Sequence, residues 1–157
     1  MKMKHFSAVL LSAALLVGCG EENIDNDACE HLQEGPAAPI TASANTTGAP
    51  AVSNDHRRYD ISLIDATGGK GGSVSFAVTE AGNYALFLGG VVPVNLRDAN
   101  GELVKVNASG MDSEACSELK RTHYFVLEVG TYSLTFGPTT ESSVSIVILG
   151  LDQVHED

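Results

Sequence analysis

Histidine is the residue in this chain with the most chemistry to offer. Beyond the first twenty residues it occurs at His31, His56, His123 and His155. Neutral imidazole is a good ligand for copper, zinc and nickel. A site built from His31, His56 and His123, with Met111 or Glu30 adding a donor, would hold such a divalent metal. Protons compete for the same nitrogens, so binding should weaken below about pH 6.5, where free histidine protonates. The spacing gives no local support, because HxxxH and HExxH are both absent. The competing reading is a set of solvated surface histidines. Asp98, Asn100 and Glu102 could line a small calcium loop, but Asp-Ala-Asn-Gly-Glu is also an ordinary hairpin tip. The glycine run 68–72 encloses Lys70 but lacks the GxxxxGK[ST] spacing and a following helix, so it reads as a flexible hairpin, not a phosphate loop. GxSxG does not occur. No nucleophile, base and orienting acid are grouped, so the chain reads as non-enzymatic, with no cofactor beyond a candidate divalent metal.

The start of the chain, MKMKHFSAVLLSAALLVGCG, speaks to location. Lys2 and Lys4 form a positive n-region, and Phe6 to Val17 is an apolar run of about a dozen residues. A membrane-spanning helix needs about 20, so the run suits a cleaved signal. Leu16-Val17-Gly18-Cys19 resembles the lipobox of bacterial lipoproteins. That resemblance implies cleavage before Cys19, a diacylglyceryl thioether on its sulfur and an acyl chain, palmitate-like, on its amine. Each buried methylene adds about 0.8 kcal/mol, so two or three chains anchor firmly. Gly20 stands where an Asp would retain an enteric lipoprotein in the inner membrane. The implied location is the cell envelope, periplasm-facing or exterior, with the outer membrane favoured.

Two consequences follow from that cleavage. Residues 1–18 carry Lys2 and Lys4 and no acid, so the mature chain has 7 basic and 20 acidic residues and a formal charge of −13. Such a surface does not suit nucleic acid or direct docking on anionic lipid. It suits solubility, or affinity for cations and basic partners. With Cys19 taken by lipid, Cys29 and Cys116 remain as an even pair in an oxidising compartment, and a disulfide between them is expected. It would bring His31 close to the loop that leads into His123.

The organisation that must position these groups is read from periodicity. Residues 19–54 read as a lipidated tether, first acidic and then rich in Pro, Ala and Thr. Pro36, Pro39 and Pro50 argue for an extended segment held at Cys29. Residues 55–151 read as the sandwich domain, and from Tyr59 onward the period is two. Tyr59, Ile61 and Leu63 alternate with polar neighbours, as do Val74, Phe76 and Val78. Tyr84, Leu86 and Leu88 follow, then Phe125, Leu127 and Val129, then Tyr132, Leu134 and Phe136, then Val144, Ile146 and Ile148. Alternation of this kind makes half-buried strands. Gly68 to Gly72, Ala81-Gly82-Asn83, Asn100-Gly101 and Gly137-Pro138 break the runs. The stretch 109–121 leans helical or irregular and should loop over one end. Residues 152–157 form a short tail. The fold expected is all-β: an antiparallel, jelly-roll-like β-sandwich of about eight short strands.

Val78-Thr79-Glu80-Ala81-Gly82-Asn83-Tyr84, Asp98-Ala99-Asn100-Gly101 and Val129-Gly130-Thr131-Tyr132-Ser133-Leu134 resemble the strand starts and hairpin of bacterial pre-peptidase C-terminal domains and related jelly-roll modules. The resemblance spans roughly 57–150. It implies a non-catalytic accessory domain that binds protein, carbohydrate or calcium. Two functions are therefore expected: a tethered binding or structural module for an envelope protein or glycan, or a periplasmic metal-binding lipoprotein that uses its histidines.

Overall fold

The computed structural model describes residues 23–153. The expected signal segment, Cys19 and His155 lie outside that range. Strands make up about half of the described residues. They are β1 (Ala37–Thr41), β2 (Ala51–Val52), β3 (Arg58–Ser62), β4 (Ile64–Ala66), β5 (Gly69–Val78), β6 (Gly82–Leu88), β7 (Val94–Arg97), β8 (Ala108–Met111), β9 (Arg121–Leu127), β10 (Gly130–Thr139) and β11 (Ser143–Gly150). One helix, α1 (Ile24–Glu34), precedes them, and a 3-10 turn, Leu151–Gln153, follows. One sheet runs β1-β3-β11-β6-β9-β8 and the other β2-β5-β10-β7, with β4 hairpinned onto β5. The all-β sandwich expected from the sequence is therefore present. It has eleven strands where about eight were expected. The sheets are mixed, because β1 pairs with β3 and β2 with β5 in parallel.

The alternating residues fill the space between the sheets. Val74, Phe76 and Val78 meet Tyr84, Leu86, Leu88, Leu134, Phe136, Ile146 and Ile148 in one apolar cluster. Two strand entries share a sequence and a device. In Glu80-Ala81-Gly82-Asn83-Tyr84 the Tyr84 hydroxyl donates to the Glu80 carbonyl at 2.7 Å. In Glu128-Val129-Gly130-Thr131-Tyr132 the Tyr132 hydroxyl donates to the Glu128 carbonyl at 3.0 Å and accepts from the Glu128 amide at 3.1 Å. Each tyrosine buries its ring while its hydroxyl serves turn backbone that would otherwise lack a partner.

The segment expected as an extended tether differs from that expectation. Residues 24–34 are helical. The Asn23 side chain accepts the Asp25 amide at 3.0 Å as an N-cap. Asp25 and Asp27 sit in the first turn, where they favour the helix dipole. Gly35, at φ +78°, ends the helix. Ile24, Ala28 and Leu32 recur every four residues and give α1 an apolar stripe. That stripe, with Cys29, packs on the outer face of β6 and β11 against Ala85, Phe87, Val147, Leu149 and Leu119. The polar composition of 20–28 concealed a helix whose polar face is simply the solvated one. The rest of the stretch is extended as expected, but as edge strands β1 and β2. Pro39 is tolerated in β1 because an edge strand has one row of unpaired donors.

The Cys29–Cys116 disulfide is formed, with Cα atoms 5.9 Å apart. It joins α1 to the loop 112–119, the middle of the stretch 109–121 expected to be helical or irregular, whose ends instead belong to β8 and β9. That loop lies beside α1 over the outer face of the sheet, where Leu119, Ala115 and Cys116 extend the same apolar cluster.

Candidate metal centre

Asp27, His31 and His56 bring ligand atoms within 4.8 Å of one another. His31 Nε2 is central, 3.1 Å from Asp27 Oδ1 and 3.2 Å from His56 Nδ1. Donors on one metal at bond lengths of about 2.0–2.1 Å lie about 2.8–3.4 Å apart for angles from octahedral to tetrahedral. The two separations at His31 fall in that range. Asp27 and His31 are four residues apart on α1, so the helix sets them side by side. The other ring nitrogen, His31 Nδ1, faces the Gly35 carbonyl at 3.5 Å. A proton held there leaves the Nε2 lone pair for a ligand, the arrangement by which second partners orient metal-binding histidines. The His31 side chain is 16% exposed and Asp27 34%, so the group is partly desolvated yet open to an ion.

His56 comes from a different part of the chain, the 53–57 loop between β2 and β3. It sits at φ +58°, one of two non-glycine residues described with positive φ. That conformation is uncommon for a side chain with a Cβ and must be held by its surroundings. The Tyr59 hydroxyl supplies the hold. It donates to Asp55 Oδ1 at 2.9 Å and accepts from the Ser53 amide at 3.2 Å. Asp55 also pairs with Arg57 at 3.2 Å. Burial, with Asp55 close by, pushes the Tyr59 phenol above its ordinary range, so it keeps its proton and can donate.

Arg58 ties the two bodies together. Its guanidinium donates to the Leu32 carbonyl at the end of α1 at 2.8 Å and to Asp60 on β3 at 3.0 Å. Asp60 is held in turn by the Ser145 hydroxyl at 2.6 Å. The helix end, the start of β3 and the histidine loop are thus locked to one ridge of the sheet.

Of the three histidines proposed from sequence, the fold brings together His31 and His56. His123 is elsewhere. It lies on β9, three strands from β3, which at about 4.8 Å per strand is about 14 Å across the sheet. Its partner is the hydroxyl of Ser109, opposite it on β8, with Oγ 2.9 Å from Nδ1. Burial, with Arg121 adding, lowers the His123 pKa below that of free histidine. The disulfide draws α1 to the loop before β9, but that loop runs on for several residues before His123. Met111 is exposed at the end of β8, the edge strand beyond β9, and Glu30 is exposed on α1 and is not in the group. Asp27 was not among the residues proposed. Its signal was Asp27-x-x-x-His31 inside a capped helix.

The other sequence candidates resolve into turns. Asp98 Oδ1 accepts the amides of Asn100 and Glu102, both at 2.9 Å, so it builds its own hairpin. The glycine run forms the β4–β5 hairpin, with Lys70 paired to Asp65 at 2.7 Å. No protein-family model matches the chain, and no curated protein is significantly similar to it.

Proposed function

We propose that this protein is a non-enzymatic, lipid-anchored envelope protein that binds a divalent transition metal through Asp27, His31 and His56. The observation that carries the reading is the convergence of two imidazole nitrogens and a carboxylate at ligand spacing, from two segments held together by Arg58. The donor set is nitrogen and oxygen, because both cysteines of the described residues are bonded to each other. Such donors suit Cu(II), Zn(II) and Ni(II), with Cu(II) the tightest by the usual affinity order. Three protein ligands leave a position for water or an exchanging ligand. The strongly acidic mature chain favours cations over anions nearby. The binding-module class is retained, with a metal in place of the protein or glycan partner. Anchorage through Cys19 remains part of the proposal. It is supported by the Cys29–Cys116 bond, which fits an exported protein and leaves Cys19 alone for acylation.

Isothermal titration with Cu(II), Zn(II) and Ni(II) tests the reading. Wild-type protein should bind at least one of them below about 10 μM, or roughly 7 kcal/mol. His31→Ala and His56→Ala should each weaken binding tenfold or more, while His123→Ala should leave it unchanged. Equal binding by wild type and His31→Ala would refute the site. Palmitate labelling that persists in Cys19→Ala would refute the anchor.

A further inference from the structure

The metal ligands ride on two bodies that are not continuous in the chain. His56 belongs to the sandwich, braced by Tyr59 and Asp55. Asp27 and His31 belong to α1. The site therefore exists only while α1 is docked in one position. An isolated helix of eleven residues is marginal in water, so α1 depends on its attachments. They are few. Leu32 is the one large side chain of α1 that is fully buried, beside the small Ala28 and the bonded Cys29. Ser113 donates to Asp25 at 2.6 Å, and Gln33 donates to Glu118 at 2.9 Å. Both of these partners belong to the same loop that carries Cys116. The disulfide lies between the two ligands along the helix, two residues after Asp27 and two before His31. The loop and the helix hold each other, and the covalent link is common to both.

Resting on the metal reading above, we propose that the Cys29–Cys116 disulfide is a redox control on the metal site: reduction by a dithiol undocks α1 and releases the metal. One thiolate of the reductant attacks the sulfur of Cys116, a half-buried residue, whereas Cys29 is 4% exposed. The Cys29–Cys116 bond breaks, and Cys29 leaves as a thiolate and takes up a proton. The second thiol of the reductant then attacks the mixed disulfide, which frees Cys116 as a thiol and leaves the reductant as a cyclic disulfide. Two electrons and two protons pass to the protein. With α1 free, only a fraction of molecules present Asp27 and His31 to His56, and apparent affinity falls by that fraction. A docked population of one in ten gives a tenfold loss. Linkage works in the other direction too, so a bound metal favours the docked helix.

The test uses the purified full chain in non-ionic detergent. Zn(II) is the probe, because it is redox-inert and will not itself reoxidise thiols. Zn(II) affinity is measured for wild type, His31→Ala and the Cys29→Ala/Cys116→Ala variant, which has no thiol to compete for the metal. Hydrogen exchange by mass spectrometry follows α1 and strands β6, β9 and β11 in wild type before and after reduction by a phosphine, without metal. The expected result is at least tenfold weaker Zn(II) binding in the double variant. In wild type, α1 amides should exchange at least tenfold faster after reduction and lose their protection, while the three strands, less stable without the cross-link, remain measurably protected. Wild-type affinity in the double variant would overturn the control. So would unchanged exchange of α1 in reduced wild type, whether or not the variant folds. If wild type and His31→Ala bind Zn(II) equally, the metal reading itself fails and the control falls with it.

Discussion

Replacing both bonded cysteines with alanine should be among the more damaging conservative changes available to this fold. Cys29 and Cys116 are 87 residues apart in sequence. In the chain-entropy account, a cross-link over a loop of that size removes about 15 cal/mol/K from the unfolded ensemble, or about 4.6 kcal/mol at 25 °C. Whole-domain stability is typically about 5–15 kcal/mol, so the variant should lose a third or more of it. For a domain of this size the fall in Tm should be about 15–20 °C. Urea unfolding followed by far-UV circular dichroism measures the effect. The slope m should also rise, because the unlinked chain exposes more surface when unfolded. A stability loss below about 1.5 kcal/mol with an unchanged slope would refute the argument. It would mean that the bond fastens α1 locally and does little to the unfolded chain.

Three further outcomes are expected. Phe87 is fully buried on the outer face of β6 beneath α1, so Phe87→Ala should cost about 3–5 kcal/mol by urea unfolding. Gly137 sits at φ +92° with the Lys70 carbonyl where a Cβ would go, so Gly137→Ala should cost more than about 2 kcal/mol, read by the same assay. Burial, helped by Arg121, lowers the His123 pKa, so this residue stays neutral in the folded protein under conditions where the unfolded chain is already protonated. Stability should therefore fall on acidification from about pH 6.5 to the folded pKa and level off below it. An NMR titration should place the His123 midpoint below that of free histidine, and His123→Gln should flatten the urea-midpoint profile in that window.

Much of the sandwich was legible along the chain because strand burial has a period of two. Tyr84, Leu86 and Leu88 point into the core as their alternation requires. The same run also carried a signal that alternation alone passes over. Ala85 and Phe87, and likewise Val147 and Leu149, are apolar at positions that should face water. A strand that is apolar on both faces needs a cover on each. The cover is α1 with the 112–119 loop, and its capping residues Asn23 and Gly35 were also readable. The weakly apolar, acidic composition of 20–28 outweighed them, because helical amphipathicity depends on where apolar residues fall and not on how many there are.

The local sequence determined the strand faces, the tyrosine-braced turns, the hairpins and the pairing of two cysteines by elimination. It could not determine which histidines meet. His31 and His56 are 25 residues apart, with three prolines and two edge strands between them. Their encounter depends on α1 lying across β11 and on Arg58 reaching the Leu32 carbonyl. His123 has the same side chain and lies only seven residues from Cys116, yet β9 carries it to the far part of the sheet, opposite Ser109. Strand order and helix docking are set by non-local burial of apolar surface, which leaves no fixed spacing in the chain. Which residues make up the candidate site, Asp27 in and His123 out, was therefore decided by the tertiary structure.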